Sequence, residues 1–594
     1  MIKELTYPFD ADEIIVKKRA IKRKLLEDKD NMVSKKVAIL GGYTTNNVKN
    51  ILELFLMANG ILPEFYESEY ARYYEDAVFG SEELDSFAPD LVYICTCNRN
   101  VPFYPEITDS AEEIDRLLDD TYSRFLNMWE SIRERYNCPV IQNNFEMPYY
   151  RLLGNSDASD LHGKVNFLTR LNMKFYEYAR SGNGLYICDI NYISADYGLS
   201  EWSDPFYWYM YKYGLNASAI PYLAMNVANI IKSIYGKNKK GLVLDLDNTL
   251  WGGVIGDDGQ DGIEIGQESS DAQAYSEFQD YISEQKKIGV LLNVNSKNDV
   301  ENAMLGLQHP DSKLSPDDFI CIKSNWEPKD RNFKEIADEL GLLPESLVFV
   351  DDNPAERQIV TDSLPGVSAP ELGEIHERIR VLDRSGFFEV TSLSDDDLKR
   401  NDMYKKNVIR RKQSEAFSDY HEYLLSLGMK AVIRPFEELY YPRIAQLTNK
   451  SNQFNLTTKR YTVEEIALAA ADNMTITLYG RLEDRYGDNG IVSVVIGSVS
   501  GEVCDITLWL MSCRVLKRDM EYAMFDALVD KCREVGVKTI IGNYYPTSKN
   551  SMVAEHYKAL GFSLCSEDEQ GHTVWSFDIP FEYSRKNTVI DIDK

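Results

Sequence analysis

Apolar and polar positions alternate along this chain with two different periods, and the change of period marks its organisation. The first 30 residues read as a charged helix, with Lys17, Lys18, Arg19, Lys22, Arg23 and Lys24 interleaved with Ile and Leu. A short apolar strand, VAIL at 37–40, runs into the turn GGYTTNN and an apolar helix, NILELFLMANG. PDLVYICTC and CPVIQNN read as further buried strands, separated by a long helical stretch near 111–136. Strands that alternate with helices of this length predict a parallel α/β sheet, because a parallel pair needs a crossover of a dozen or more residues. The region closes on the helix YLAMNVANIIKSIYG and the linker KNKK at 237–240.

A second α/β unit begins at once, with KGLVLDLD, VLLNVNS and SLVFVDDNP as strands and SEFQDYISEQKKIG and RNFKEIADELGL as helices. Residues 385–430 are charged and helical, a connector. From 431 the order becomes mixed, with strands such as MTITLYGRL, GIVSVVIGSV and DITLWLMS before the helix DMEYAMFDALVDKCREVG. The expected organisation is therefore an α/β domain over 1–236, a second over 237–384, a connector over 385–430 and an α+β domain over 431–594. Three to four domains also suit a chain of 594 residues, too long for one core.

Composition narrows the function classes. The formal net charge of −30 argues against a general nucleic-acid binder, which needs a basic surface. It leaves room for a small anionic substrate held by a local pocket of positive charge. No stretch approaches the roughly 18 uninterrupted apolar residues that span a bilayer. Nine scattered cysteines form no metal or disulfide framework, and Cys95 and Cys97 alternate on an apolar strand as buried thiols do. A soluble protein of a reducing compartment such as the cytoplasm is expected.

The chemistry concentrates in the second unit. Asp245 and Asp247 stand at the end of the strand GLVL, where a parallel sheet presents its ligand-binding edge. Two carboxylates so close repel each other unless one takes up a proton or a cation sits between them, and Mg²⁺ suits oxygen ligands. A second apolar strand, LVFV, ends in Asp351 and Asp352, so two acidic strand ends can meet on one metal. Between them, VLLNVNS ends at Ser296, and Lys329 precedes a helix; a hydroxyl and an ammonium are the groups that hold phosphoryl oxygens.

These four segments resemble the motifs of the haloacid dehalogenase superfamily. The resemblance implies that Asp245 attacks phosphorus to form an aspartyl phosphate, that Asp247 is general acid/base, and that Ser296 and Lys329 hold the phosphoryl group. It also implies Mg²⁺ between Asp245, the Asp247 main-chain carbonyl and the pair Asp351–Asp352, with Asp352 favoured as the direct ligand. The DxDxT threonine, Thr249, and Trp251 are candidate substrate contacts. Trp251 and the glycines of WGGVIGDDG form either a flap over the site or an ordinary loop. Only 51 residues separate Asp245 from Ser296, and 33 separate Ser296 from Lys329, which leaves no room for a separate cap domain.

DLDNTLWGGVIGDDG, NSKND, NWEPKDRN and FVDDNPAERQ together resemble the FkbH-like branch (subfamily IIIC), and the similarity reaches almost the whole chain. It implies a Rossmann-like phosphatase core, an N-terminal domain distantly similar to SGNH (or flavodoxin-like) folds, and a GNAT-like C-terminal domain. It further implies transfer of a glyceryl group from 1,3-bisphosphoglycerate to the phosphopantetheine thiol of an acyl carrier protein. Cys513, in MSCRVL, matches the family's cysteine and is read as either an acyl-accepting thiol or a buried structural one. Arg514 and Arg518 are candidates to favour its thiolate, with Arg514 also a substrate contact. Asn452, Gln453 and Asn455 are candidates to line the acyl site, or else a loop that satisfies its own backbone. The connector residues Lys399, Arg400, Lys405, Lys406, Arg410, Arg411 and Lys412 are a candidate carrier-docking surface or a solvated helix.

Two departures limit the resemblance. Lys517 and Asp519 occupy the glycine positions of a GNAT pyrophosphate loop, so CoA binding is not expected. Tyr43 and Tyr207 stand where SGNH hydrolases place serine and histidine, so esterase activity is not expected either. The competing function is a stand-alone Mg²⁺-dependent phosphatase of a small phosphorylated metabolite or sugar.

Overall fold

The computed structural model describes every residue except Met1, Asn183, Glu415, Asn452, Ser548 and Lys594. The chain divides into two compact units, Ile2–Ile234 and Tyr235 onward.

The first unit is built on five parallel strands: β1 (Val33–Gly41), β2 (Ile61–Glu67), β3 (Leu91–Cys95), β4 (Val140–Asn143) and β5 (Leu185–Cys188). Their order, β2-β1-β3-β4-β5, is that of a flavodoxin-like doubly wound sheet. Strand β3 is buried at all five positions, as expected of a strand covered on both faces. Phe125 and Trp129 of helix Ala111–Tyr136 and Phe167 and Phe175 of helix Lys164–Arg180 pack with Ala38, Leu40, Val92 and Ile94 on one face. The longer helix starts at a capping box, in which Ser110 N–H donates to Glu113 Oε2 at 2.8 Å. On this scaffold Cys95 and Cys97 are buried thiols.

The second unit holds two sheets. The first consists of β6 (Gly241–Leu244), β7 (Leu291–Ser296), β8 (Cys321–Ser324) and β9 (Leu347–Val350), all parallel in the order β8-β7-β6-β9. This order makes β6 and β9 neighbours although about a hundred residues separate them, and their register pairs Leu244 with Val350. The residue after each strand is therefore also paired in space, and Asp245 N–H donates to Val350 O at 2.8 Å. Helices Asp395–Leu398, Arg400–Ser414 and Tyr420–Ser426 follow.

A mixed sheet completes the unit: β10 (Lys430–Arg434), β11 (Phe454–Asn455), β12 (Thr475–Asp484), β13 (Gly487–Ser500), β14 (Val503–Met511), β15 (Thr539–Tyr544), β16 (Ser563–Glu567), β17 (Thr573–Asp578) and β18 (Asp591–Asp593). The path is β16-β17-β15-β14-β13-β12-β10-β18, with β11 against β14. Ala523, Met524, Phe525 and Leu528 of helix Met520–Glu534 pack into its core. Among the described residues no helix is long and apolar enough to cross a membrane.

Candidate active site

The carboxyl ends of β6 and β9 and the helix that follows β8 bring the predicted acids and the lysine together. Oxygens of Asp245, Asp351 and Asp352 all lie within 4.8 Å of one another. Lys329, the first residue of helix Lys329–Leu340, is 3% exposed, and its Nζ stands 3.0 Å from Asp245 Oδ2 and 2.5 Å from Asp351 Oδ2. Asn295 Nδ2 donates to Lys329 O at 2.8 Å and fixes the start of that helix. Burial alone would lower the Lys329 pKa, but the carboxylates of Asp245 and Asp351 outweigh it and hold the ammonium charged.

The two adjacent acids differ. Asp351 is fully buried, with one oxygen on Lys329 and the other accepting Asn353 N–H at 2.9 Å. Burial, then the charge of Asp245, pushes its pKa up. Asp352 is exposed, and is held by Thr249 Oγ1, which accepts Asp352 N–H at 3.2 Å and lies 3.4 Å from Asp352 Oδ1. Burial and Asp245 raise Asp352 as well. Hard oxygen donors gathered so closely, with an open carboxylate among them, fit a small divalent cation such as Mg²⁺.

Asp247 is set apart from that group. Its Oδ1 accepts Trp251 Nε1–H at 2.9 Å and Ile255 N–H at 3.1 Å, and its Oδ2 accepts from Asn298 Nδ2 at 2.7 Å. Burial raises its pKa, the nearby Asp245 adds to the rise, and the three donors pull the other way without cancelling it. Three donors fix the orientation of this carboxylate. Ser296 ends β7 and is 1% exposed.

Several expectations need correction. Trp251 is no flap: it is wholly buried in the core of this domain, and its indole N–H serves Asp247. A Cβ at Gly306 would come within 2.5 Å of its ring. Thr249 is likewise fully buried, and its hydroxyl orients Asp352 rather than facing a substrate. Asn298 and Arg378 escaped sequence reasoning. Asn298 lies in NSKND, two residues after Ser296, where a polar residue at a strand end was a readable signal. Arg378 Nη1 donates to Asn248 O at 2.8 Å and Thr249 O at 3.1 Å, and so pins the loop after Asp247, which turns through Asn248 at φ +51°. No motif surrounds it in the sequence.

The acyl-site candidates fare differently. Cys513 is half-buried, and its Sγ lies 3.7 Å from Tyr404 Oη. It packs against a cluster that includes Leu291, Cys321 and Leu347, the opening residues of β7, β8 and β9. Tyr404 follows Asn401, whose Nδ2 donates to Val290 O at 3.1 Å just before β7, so the thiol lies towards the amino-terminal edge of the sheet whose carboxyl-terminal edge carries Asp245. The two arginines expected to favour its thiolate have carboxylate partners instead. Arg514 lies 3.4 Å from Asp396 and 3.2 Å from Ser512 Oγ, and Arg518 pairs with Asp484 at 3.1 Å. Arg514, with a side chain only 7% exposed, is held beside Asp396. Asn455 is buried and serves its own loop, accepting Thr458 N–H at 2.9 Å. Asn452 lies outside the described residues, and beside it Gln453 Oε1 is buried without a protein partner. Part of the connector's charge is paired: Arg410 is buried on Asp484 at 2.6 Å, Arg400 pairs with Asp397, and Lys405 and Arg411 donate to Asp317 O and Asp338 O, while Lys399, Lys406 and Lys412 are exposed. In the first unit Tyr43 is buried, accepting from Cys95 Sγ at 3.0 Å, while Tyr207 is 44% exposed.

A parallel α/β sheet thus carries acids at two adjacent strand ends with a buried lysine between them. Residues 7–232 match the family described as FkbH, N-terminal domain. Among solved structures, the chain is similar to the N-terminal part of the Bacteroides fragilis protein BF1531, which contains a phosphatase domain and was complexed with Mg. The identity is 28% and the TM-score 0.59, over 63% of this chain and 99% of that one. The Escherichia coli ribosomal-protein-S18-alanine N-acetyltransferase matches at 12% identity and a TM-score of 0.21, over 27% of this chain and 99% of that one, too low to support any argument. No curated protein matches the chain.

Proposed function

We propose that this chain is an FkbH-like, Mg²⁺-dependent phosphatase that works through an aspartyl phosphate on Asp245. The convergence of Asp245, Asp351 and Asp352 within 4.8 Å, with Lys329 between two of them, carries the reading. Asp245 and Asp352, with the Asp247 main-chain carbonyl, would hold the cation, which when bound offsets the negative charge of a phosphoryl group. Lys329 and Ser296 would bind the phosphoryl oxygens and orient phosphorus towards the Asp245 carboxylate. Asp247, protonated more readily than an ordinary carboxyl, donates a proton to the leaving group and then takes one from the attacking water. Trp251, Ile255 and Asn298 keep it in line for both steps.

The finer reading is that phosphate leaves a phosphoglyceryl donor such as 1,3-bisphosphoglycerate and that the glyceryl group passes to a carrier-protein thiol, with Cys513 as an intermediate acceptor and the mixed sheet as a GNAT-like transfer domain. The resemblance of the motifs and of Cys513 supports it. A stand-alone phosphatase is the second reading, and the placement of Cys513 favours it. Five extended residues from Lys240 to Asp245 put roughly 16 Å between the two edges of the sheet, so an acyl group cannot pass directly between them. A phosphopantetheine arm would have to carry it. Incubation with Mg²⁺, 1,3-bisphosphoglycerate and a holo carrier protein, followed by intact mass, separates the two. A glyceryl adduct on the carrier that disappears in Cys513→Ala is expected from transfer; phosphate release with no adduct leaves the stand-alone phosphatase.

A further inference from the structure

In a chain of net charge −30, four cations of the second unit converge on only two carboxylates. Arg443 Nη2 lies 2.7 Å and Arg514 Nη2 3.4 Å from Asp396 Oδ2. Lys450 Nζ lies 3.0 Å from Asp397 Oδ1, which Arg400 also meets. Asp397 is already saturated, because its other oxygen accepts from Ser394 Oγ at 2.7 Å and Gln446 Nε2 at 2.9 Å. The four cationic side chains are between 7% and 35% exposed, and Arg443 Nε is buried with no partner among the described residues. Two positive charges remain unbalanced in a mostly dry place, which is costly unless an anion joins them. Lys450 shows the strain: burial first, then Arg400, Arg443, Lys240 and Arg514, push its pKa down to about 7.

The cluster adjoins the Cys513 thiol. Arg514 follows it in sequence, and Tyr404, within reach of Sγ, stands one helical turn after Arg400. We propose that Arg443, Lys450, Arg400 and Arg514 form a binding site for a phosphate group, which anchors a phosphorylated molecule beside Cys513. A dianion matches the excess of two charges, and guanidinium forks with an ammonium suit tetrahedral phosphate oxygens better than they suit a lone carboxylate. The phosphate could be that of a small phosphorylated acid or of a phosphopantetheine arm. The proposal goes beyond the phosphatase reading and does not depend on it, since the site lies at the other edge of the sheet from Asp245.

Calorimetric titration of the full chain in EDTA tests it, with inorganic phosphate as the first probe. The binding that Arg443→Met/Lys450→Met weakens at least about tenfold, a loss of ~1.4 kcal/mol or more, should persist in Asp245→Asn. If the double variant does not fold by circular dichroism, Lys450→Met alone, the most exposed of the four, serves in its place. Titrations with 3-phosphoglycerate and with pantetheine 4′-phosphate then identify the source as whichever binds more tightly than inorganic phosphate. Affinity unchanged in the variants, affinity lost in Asp245→Asn, or no gain from either organic phosphate would overturn the proposal.

Discussion

The chain contains two parallel α/β sheets, and they finish their strands in opposite ways. At the carboxyl ends of the phosphatase sheet stand Asp245, Asp351 and Asp352, with one lysine to share among them. At the ends of β3 and β4 in the first sheet stand amides and a hydroxyl that satisfy each other, and Glu67 at the end of β2 pairs with Lys49. Gln142 accepts Trp129 Nε1–H at 3.1 Å and donates to Thr96 Oγ1 at 2.8 Å. Asn143 accepts Tyr93 Oη–H at 3.0 Å and donates to Thr96 O at 3.0 Å. A closed network of neutral groups has no call for a ligand; three carboxylates around one ammonium do. The two sheets differ at these ends in the charge left over after local pairing.

The largest expected effect comes from removing the nucleophile. Asp245→Asn should lower phosphate release by at least about 10⁴-fold, measured with a small phosphate ester in Mg²⁺, because an amide is no nucleophile towards phosphorus. Lys329→Met comes next. It leaves Asp245 and Asp351 facing each other across a buried gap, and turnover should fall by ~10²–10³-fold. Its melting temperature in EDTA should drop more than in Mg²⁺, since a cation can offset part of the lost charge.

Trp251→Phe is subtler. It keeps the apolar ring in the core and deletes the N–H that Asp247 accepts, so about tenfold should be lost from kcat with little change in stability. The pH profile gives the sign. The Trp251 hydrogen bond lowers the Asp247 pKa, so its removal raises that pKa further. A proton donor acts only below its pKa, and the alkaline limb of kcat should therefore move to higher pH. In the first sheet the smallest catalytic effect is expected. Gln142→Leu strands the Trp129 N–H and should lower stability by ~1–3 kcal/mol in denaturant, with phosphate release unchanged. A loss of turnover there would break the contrast between the sheets.

Much of the phosphatase site was legible because its acids and hydroxyl end runs of apolar residues, its lysine precedes a helix, and a parallel sheet gathers strand ends on one edge. The neighbourhood of β6 and β9 was not written in either motif alone; it follows from strand order. Of the two readings open for Trp251, the flap fails because the ring lies in the core, where Gly306 leaves room for it, a contact with no local mark in the sequence. Arg378 was invisible, as one arginine in a charged helix has no local mark of its tertiary bond to Asn248 and Thr249. The charges of the connector looked like a surface because sequence shows their clustering but not their partners, and Arg400 and Arg410 turn out to be paired inside.

The central claim is that Asp245 itself carries the phosphoryl group. Turnover in Mg²⁺ quenched with borohydride reduces an aspartyl phosphate to homoserine, and tandem mass spectrometry locates it. The account predicts homoserine at position 245 in wild type and none in Asp245→Asn. Reduction at another aspartate, or steady phosphate release with position 245 untouched, would contradict it.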